Sequence, residues 1–200
     1  MMDKPIVAAF DFDGTLTKRD TFIPFALFAA GPWKWIKNLI LLIPSALLFI
    51  FRAITRRQLK EKAITLFFKG MPHRKLMPLA EEFAAEIIPR LLKPKALEAL
   101  KWHQKEGHRV IIISASIETY LRPWAEIMHI DDVIASRLEL DSNGNITGRL
   151  AGNNCRAAEK VKRLKELLGP EKDYELYAYG DSRGDKELLA YADHRFFRKI

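Results

Sequence analysis

Asp11-Phe12-Asp13-Gly14-Thr15 sets two carboxylates two residues apart, directly after the apolar run Ile6-Val7-Ala8-Ala9-Phe10. That run reads as a buried strand. Two acids at the end of a buried strand are unfavourable unless a cation or hydrogen-bond donors meet them, and Gly14 lets the chain turn sharply behind them. The pair suits holding a cation and doing chemistry on a phosphate. Complementary residues come late in the chain. Asp181 ends the run Glu175–Tyr179, and Asp185 opens a helix four residues on. Alone, Asp185 reads as a favourable helix-dipole charge. With Asp11, Asp13 and Asp181 it makes a hard-cation site, and Mg²⁺ takes carboxylate and carbonyl oxygens. Ser114 lies between a strand and a helix. It reads either as an ordinary turn serine or, with backbone N–H groups, as a phosphate ligand. Lys160 borders the apolar face Ala157, Val161, Leu164 and Leu168, where it could snorkel to solvent or pair with those carboxylates or a phosphate.

The elements that must position these groups alternate as α/β. After the first strand come a helix at Ala96–Glu106, a strand at Arg109–Ile113 and a helix at Ile117–Met128 with Ser116 as its cap. A short strand at Val133–Ala135 follows. Next is a hairpin of Arg137–Leu140 and Ile146–Leu150 around Asp141-Ser142-Asn143-Gly144-Asn145. Then come a helix at Ala157–Leu168, a strand at Glu175–Tyr179, a helix at Asp185–Ala192 and a last strand at Arg195–Phe197. Polar residues recur just past strand ends, where open parallel sheets bind ligands. The expectation is a three-layer, Rossmann-like parallel sheet built from residues 1–16 and 93–200. Residues 17–92 interrupt it as a helical insertion, cut into pieces by Pro24, Pro32, Pro44, Pro72 and Pro78.

The net charge of +8 is uneven: residues 16–80 hold twelve Lys or Arg against Asp20 and Glu61. All the positive excess sits in the insertion, whose partner would be nucleic acid, an anionic membrane or an acidic small molecule. Its most apolar piece, Leu39–Phe51, follows Trp33 and Trp35 and is shorter than the ~20 residues a membrane span needs. A single crossing would also put the candidate site residues on opposite sides of a bilayer. The piece therefore reads as a shallow hairpin about Pro44, as a helix lying at an anionic membrane surface through residues 33–57, or as the core of a helical subdomain. Arg52, Arg56 and Arg57 are candidates to touch substrate by charge and position. The aromatic residues stand in apolar rather than basic context, so nucleic acid is not expected. The single cysteine, Cys155, and the absence of a signal-like stretch over Met1–Pro5 point to the cytoplasm. The histidines have no metal-like spacing.

The ordered set Asp11-Phe12-Asp13-Gly14-Thr15, Ser114, Lys160 and Gly180-Asp181-Ser182-Arg183-Gly184-Asp185 resembles the haloacid dehalogenase superfamily of phosphohydrolases. The insertion resembles the cap of its phosphoserine phosphatase-like branch, subfamily IB. The resemblance implies that Asp11 attacks phosphorus and becomes a phospho-aspartate. Asp13 is implied as acid and then base, with Ser114 and Lys160 on the phosphoryl group. Mg²⁺ is implied on Asp11, the Asp13 carbonyl and Asp181, with Asp185 at or behind it. An acid at position 13 points to a phosphatase. The basic, apolar insertion resembles the group that includes bacterial phosphatidylglycerophosphatase C, and the expected substrate is a lipid phosphate. The alternatives are a soluble phosphomonoester of the histidinol phosphate or phosphoserine type, and a catalytically silent module binding membrane or nucleic acid.

Overall fold

β1 (Ile6–Phe10) lies at the centre of a six-stranded sheet because both of its faces are apolar. The computed structural model describes residues 4–200. Met1 to Asp3, and that part of the leader reading, lie outside the described residues. β1 is flanked by β2 (Arg109–Ile117) on one side and β5 (Glu175–Gly180) on the other. β3 (Asp132–Leu140) and β4 (Ile146–Ala151) extend the β2 side, and β6 (His194–Phe197) closes the β5 side. All pairings are parallel except β3 with β4. The pleat sends alternate residues to opposite faces. Val7, Ala9, Ile111 and Ile113 face one apolar cluster, and Ala8, Phe10, Val110 and Ile112 face the other.

Between β1 and β2 the chain forms α1 (Phe22–Ala30), α2 (Pro32–Ile50), α3 (Arg56–Phe68), α4 (His73–Glu86) and the single turn α5 (Ile88–Leu91). Leu16 and Lys93, at the two ends of this stretch, are joined by the Lys93 N–H donating to the Leu16 carbonyl at 2.8 Å, and Lys18 N–H donates to Leu91 at 2.8 Å. The chain thus leaves and rejoins the sheet at one narrow neck. α6 (Pro94–Lys105) leads into β2, and α7 (Glu118–Ile127), α8 (Ala158–Leu168) and α9 (Lys186–Tyr191) follow. The inserted helices do not fold as a separate ball. Phe25 of α1 and Phe83 of α4 pack against Tyr120 of α7, tilted and edge-on, with ring centroids 4.8 and 5.5 Å away.

Several expectations need correcting. Pro32 and Pro72 stand at helix starts, but Pro24, Pro44 and Pro78 lie inside α1, α2 and α4. Pro24 sits in a first turn, where its missing N–H has no intrahelical partner to lose. α2 runs unbroken through Pro44, so the hairpin about Pro44 does not form. Nor is Leu39–Phe51 a buried core: only Asn38 and Leu42 of α2 are buried. Trp33, Ile36, Ile40, Ile43, Leu47 and Ile50 form an exposed stripe at three- and four-residue spacing. By length and composition alone α2 could cross a membrane. β2 and β3 are longer than expected, and β3 continues directly into the hairpin with β4.

Candidate active site

Phe10 is level with Ile112 on β2 and with Tyr179 on β5. Asp11, Ser114 and Asp181 therefore emerge together, within two residues of that level, at the carboxyl edge of the sheet. This is where the strand order reverses, with β2 to β4 on one side of β1 and β5 and β6 on the other, the usual ligand crevice of such sheets. They line a cleft of about 380 Å³ with Asp13, Lys160 and Asp185. All six predicted residues are thus brought to one cleft. The turn Phe12–Leu16 depends on Gly14, which has φ +82°. A Cβ there would fall 2.4 Å from Asp181 Oδ2, so the glycine admits the carboxylate as well as the turn.

Lys160 is the hub. Although it sits on an amphipathic helix it does not snorkel: it is 1% exposed. Its ammonium donates to Asp11 Oδ1 and Asp185 Oδ1, both at 2.6 Å. Burial alone would lower the lysine's pKa, but the two carboxylates outweigh it and raise it. Burial likewise pushes up Asp185, and the ammonium overrides it to leave that acid below its ordinary value. Asp185 Oδ2 also accepts from the N–H and hydroxyl of Ser182 at 3.0 and 2.9 Å. Burial raises Asp11 to about 6 against the pull of Lys160. Burial and the Asp185 charge raise Asp181.

Asp13 points elsewhere. Its Oδ1 accepts from Thr21 N–H at 2.9 Å and Thr21 Oγ1 at 2.6 Å, and its Oδ2 accepts from Ser116 Oγ. Burial first, and then the charge of Asp20, lift it to about 7. The two carboxylates of the motif thus differ in surroundings: one faces a cation, the other hydroxyls. Ser116 is not the helix cap expected of it, since its hydroxyl is committed to Asp13 and α7 starts after Ile117 without a side-chain cap. Ser114 Oγ accepts from Ser116 N–H at 3.1 Å.

Asp11, Asp181 and Asp185 each offer an oxygen within 4.8 Å of the others. These oxygens, with one lysine to neutralise them, fit a hard divalent cation. The Asp13 side chain stands outside this group. Of the arginine candidates only Arg56 lines the cleft. Arg57 is engaged with Glu61 at 3.2 Å and Asn153 at 3.1 Å, and Arg52 is exposed outside the cleft. Lys18, Arg19 and Arg156 line it instead, and sequence reasoning did not single them out. Lys93, also missed, donates to the Gly14 carbonyl at 2.5 Å.

A doubly acidic strand end, a buried lysine between two carboxylates and an acid held apart on hydroxyls are groups of the kind that phosphoryl transfer calls for. The chain belongs to the haloacid dehalogenase-like hydrolases, whose family pattern it matches over residues 8–190. It is 39% identical to the protein CicA of Caulobacter vibrioides over 99% of this chain and 88% of that protein. It is 29% identical to a histidinol-phosphatase of Neisseria meningitidis, over 54% of this chain and 51% of that one. Its fold superposes on a phosphoserine phosphatase carrying an analogue of the phospho-aspartyl intermediate with a TM-score of 0.60, at 20% identity, covering 95% of this chain and 84% of that one. With that family, the protein is a phosphomonoesterase, which sets aside the silent-module reading.

Proposed function

We propose that catalysis runs through a phospho-aspartate on Asp11, with Mg²⁺ as cofactor and a lipid phosphate such as phosphatidylglycerophosphate as substrate. The observation that carries the mechanism is the split between Asp11, paired with buried Lys160, and Asp13, held on Thr21 and Ser116. Asp11 forms a bond to phosphorus as the ester P–O bond breaks, and Asp13 gives its proton to the departing alcohol oxygen. Water then attacks the phosphorus and yields its proton to Asp13, which frees Asp11 and inorganic phosphate. Lys160 and Ser114 hold the phosphoryl oxygens, and splitting one displacement into two lowers each barrier. Asp11, Asp181 and the Asp13 carbonyl would hold Mg²⁺, with Asp185 behind. The ion, when bound, neutralises charge on the phosphoryl oxygens.

The test is hydrolysis of p-nitrophenyl phosphate with and without Mg²⁺. Asp11→Asn is expected to abolish turnover, and activity surviving that change would sink the nucleophile assignment. Asp13→Asn is expected to retain slow formation of the covalent intermediate from aryl phosphate, whose leaving group needs little protonation, and to stall its hydrolysis.

We read residues 17–92 as the unit that selects substrate, and the exposed stripe of α2 supports a lipid one. Trp33 is 85% exposed at one end of that helix, and Phe51, just past the other end, is 78% exposed. Lys34 and Lys37 flank the stripe on α2, and Arg52, Arg56 and Arg57 follow it. Such a helix suits an anionic bilayer surface, where each basic residue contributes ~1 kcal/mol. Co-sedimentation with anionic vesicles at low salt is the check, and a protein left in the supernatant loses the membrane reading. Preference for histidinol phosphate or phosphoserine over phosphatidylglycerophosphate would replace the lipid substrate.

A further inference from the structure

The neck through which the chain leaves and rejoins the sheet also reaches the carboxylate cluster. Lys93 closes the neck through its backbone and immediately precedes α6, whose first residue is Pro94. Its half-buried side chain donates to the Gly14 carbonyl at 2.5 Å and to a main-chain oxygen of Ile200 at 3.3 Å. Gly14 is the residue whose missing Cβ leaves room for the Asp181 carboxylate. Asp181 has a brace of its own in Arg198, just past β6. That arginine has φ +52°, an uncommon backbone for a residue with a side chain. Its N–H donates to the Gly180 carbonyl at 2.9 Å, and its guanidinium donates to the Asp181 carbonyl at 2.7 Å. Two cations thus hold main-chain oxygens on the two segments that meet where Gly14 touches Asp181. Among the described residues Lys160 pairs with Asp11 and Asp185 but not with Asp181, so the place of the third carboxylate depends on its main chain.

We propose that Lys93 and Arg198 are positioning residues for the divalent-cation site. By holding the Gly14 and Asp181 carbonyls they set the turn after Asp13 and the Asp181 carboxylate at the spacing that a small hard cation demands. The proposal rests on the Mg²⁺ reading above and adds the groups that support the ligands. Mg²⁺ tolerates little departure from octahedral geometry, so partners that orient its ligands affect affinity, typically by roughly 10–100-fold. A purely electrostatic role would have the opposite sign. The charges of both side chains favour the ionised form of Asp181, yet they repel a metal ion. Removing either would tighten metal binding if charge were all that mattered, whereas removing a brace weakens it.

The test measures Mg²⁺ binding to the full chain without substrate, as the rise in melting temperature across a Mg²⁺ titration. Lys93→Met is expected to raise the Mg²⁺ Kd roughly 10–100-fold. Lys93→Arg keeps both charge and donor and should recover most of that loss. Arg198→Met should raise the Kd by less, because the side chain is exposed and water can take its place. The Mg²⁺ concentration for half-maximal hydrolysis of p-nitrophenyl phosphate should move with the Kd. The melting temperature without metal reports loss of fold separately, and if Lys93→Met does not fold, Arg198→Met carries the test. A Kd unchanged or lowered in these two variants would overturn the proposal and leave the cation site in place. No Mg²⁺-dependent rise in wild type, or a full rise retained in Asp181→Asn, would instead remove the Mg²⁺ reading, and the brace with it.

Discussion

Lys160 tests whether the buried ion pairs matter to the fold as well as to the chemistry. Removing one partner of a buried pair leaves uncompensated charge, so Lys160→Met should destabilise the protein by roughly 3–5 kcal/mol. Urea unfolding measures this, and an unchanged midpoint would mean that Asp11 and Asp185 relax to protonated forms at little expense. His103 gives a prediction with a sign. Burial, and then the neighbouring His108, hold its pKa down at about 4, against about 6.5 in an unfolded chain. Because the folded value is the lower, the neutral ring stabilises fully above about pH 6.5, and that contribution is lost as pH falls toward 4. This contribution should therefore fall between pH 7 and pH 5, against the opposite slope of the raised Asp11 and Asp13 carboxyls, and the difference in stability between wild type and His103→Gln should shrink across that window. At this scale the sequence was legible at strand ends and helix starts: Asp11, Asp13, Ser114 and Asp181 follow or end strands, Lys160 and Asp185 stand at helix starts, and all reach the cleft. It was silent about the groups that tune them. Ser116 meets Asp13 across 103 residues and Thr21 meets Tyr120 across 99, and no local pattern encodes such pairs.

At the scale of elements, α2 inverts the usual arrangement. Its inward face carries Asn38, whose amide donates to the Leu66 carbonyl at 2.8 Å, while its outward face is apolar. Ile40→Glu with Leu47→Glu should leave the melting temperature within a few degrees, because exposed substitutions change stability by about ±0.5 kcal/mol. The same pair should abolish sedimentation with anionic vesicles. A collapse in stability would show instead that the stripe is packed in solution. Hydropathy marked this stretch as unusual but could not say which way it faced, since a buried helix and a surface-seeking one have the same composition. Proline was the other weak guide. Reading it as punctuation cut the insertion at all five prolines, yet only Pro32 and Pro72 stand at helix starts, and Pro24, Pro44 and Pro78 are carried inside helices. The α3 boundary shows what a reliable signal is. Thr55 and Gln58 close a reciprocal capping box, and Thr55→Ala should cost about 1 kcal/mol.

For the whole molecule, a cation held by the three-carboxylate cluster would tie stability to metal. A ligand that binds the folded form alone stabilises it by RT ln(1 + [L]/Kd), ~2.7 kcal/mol at a hundredfold excess over Kd. Mg²⁺ should raise the melting temperature of the wild type, EDTA should reverse the rise, and Asp181→Asn should erase it. An equal rise in the variant would place the ion elsewhere. The fold class was legible from the alternation of strand and helix, because each βα unit is a local pattern. The joining of the insertion to the sheet was not, because it is made by aromatic rings from α1, α4 and α7, far apart in the chain. Those rings carry a consequence for traffic through the enzyme. A roof whose beams are shared with the floor cannot lift without pulling Phe25 and Phe83 away from Tyr120. We expect molecules to come and go by the side, between α1, α2 and α3, while α4 and α7 stay together. A short covalent link between α4 and α7 should then leave the turnover rate unchanged, whereas an enzyme that worked by raising its roof would be locked shut. On this view the doorway opens beside α2, and a protein held on a bilayer by the apolar stripe of that helix would exchange product for substrate without leaving it.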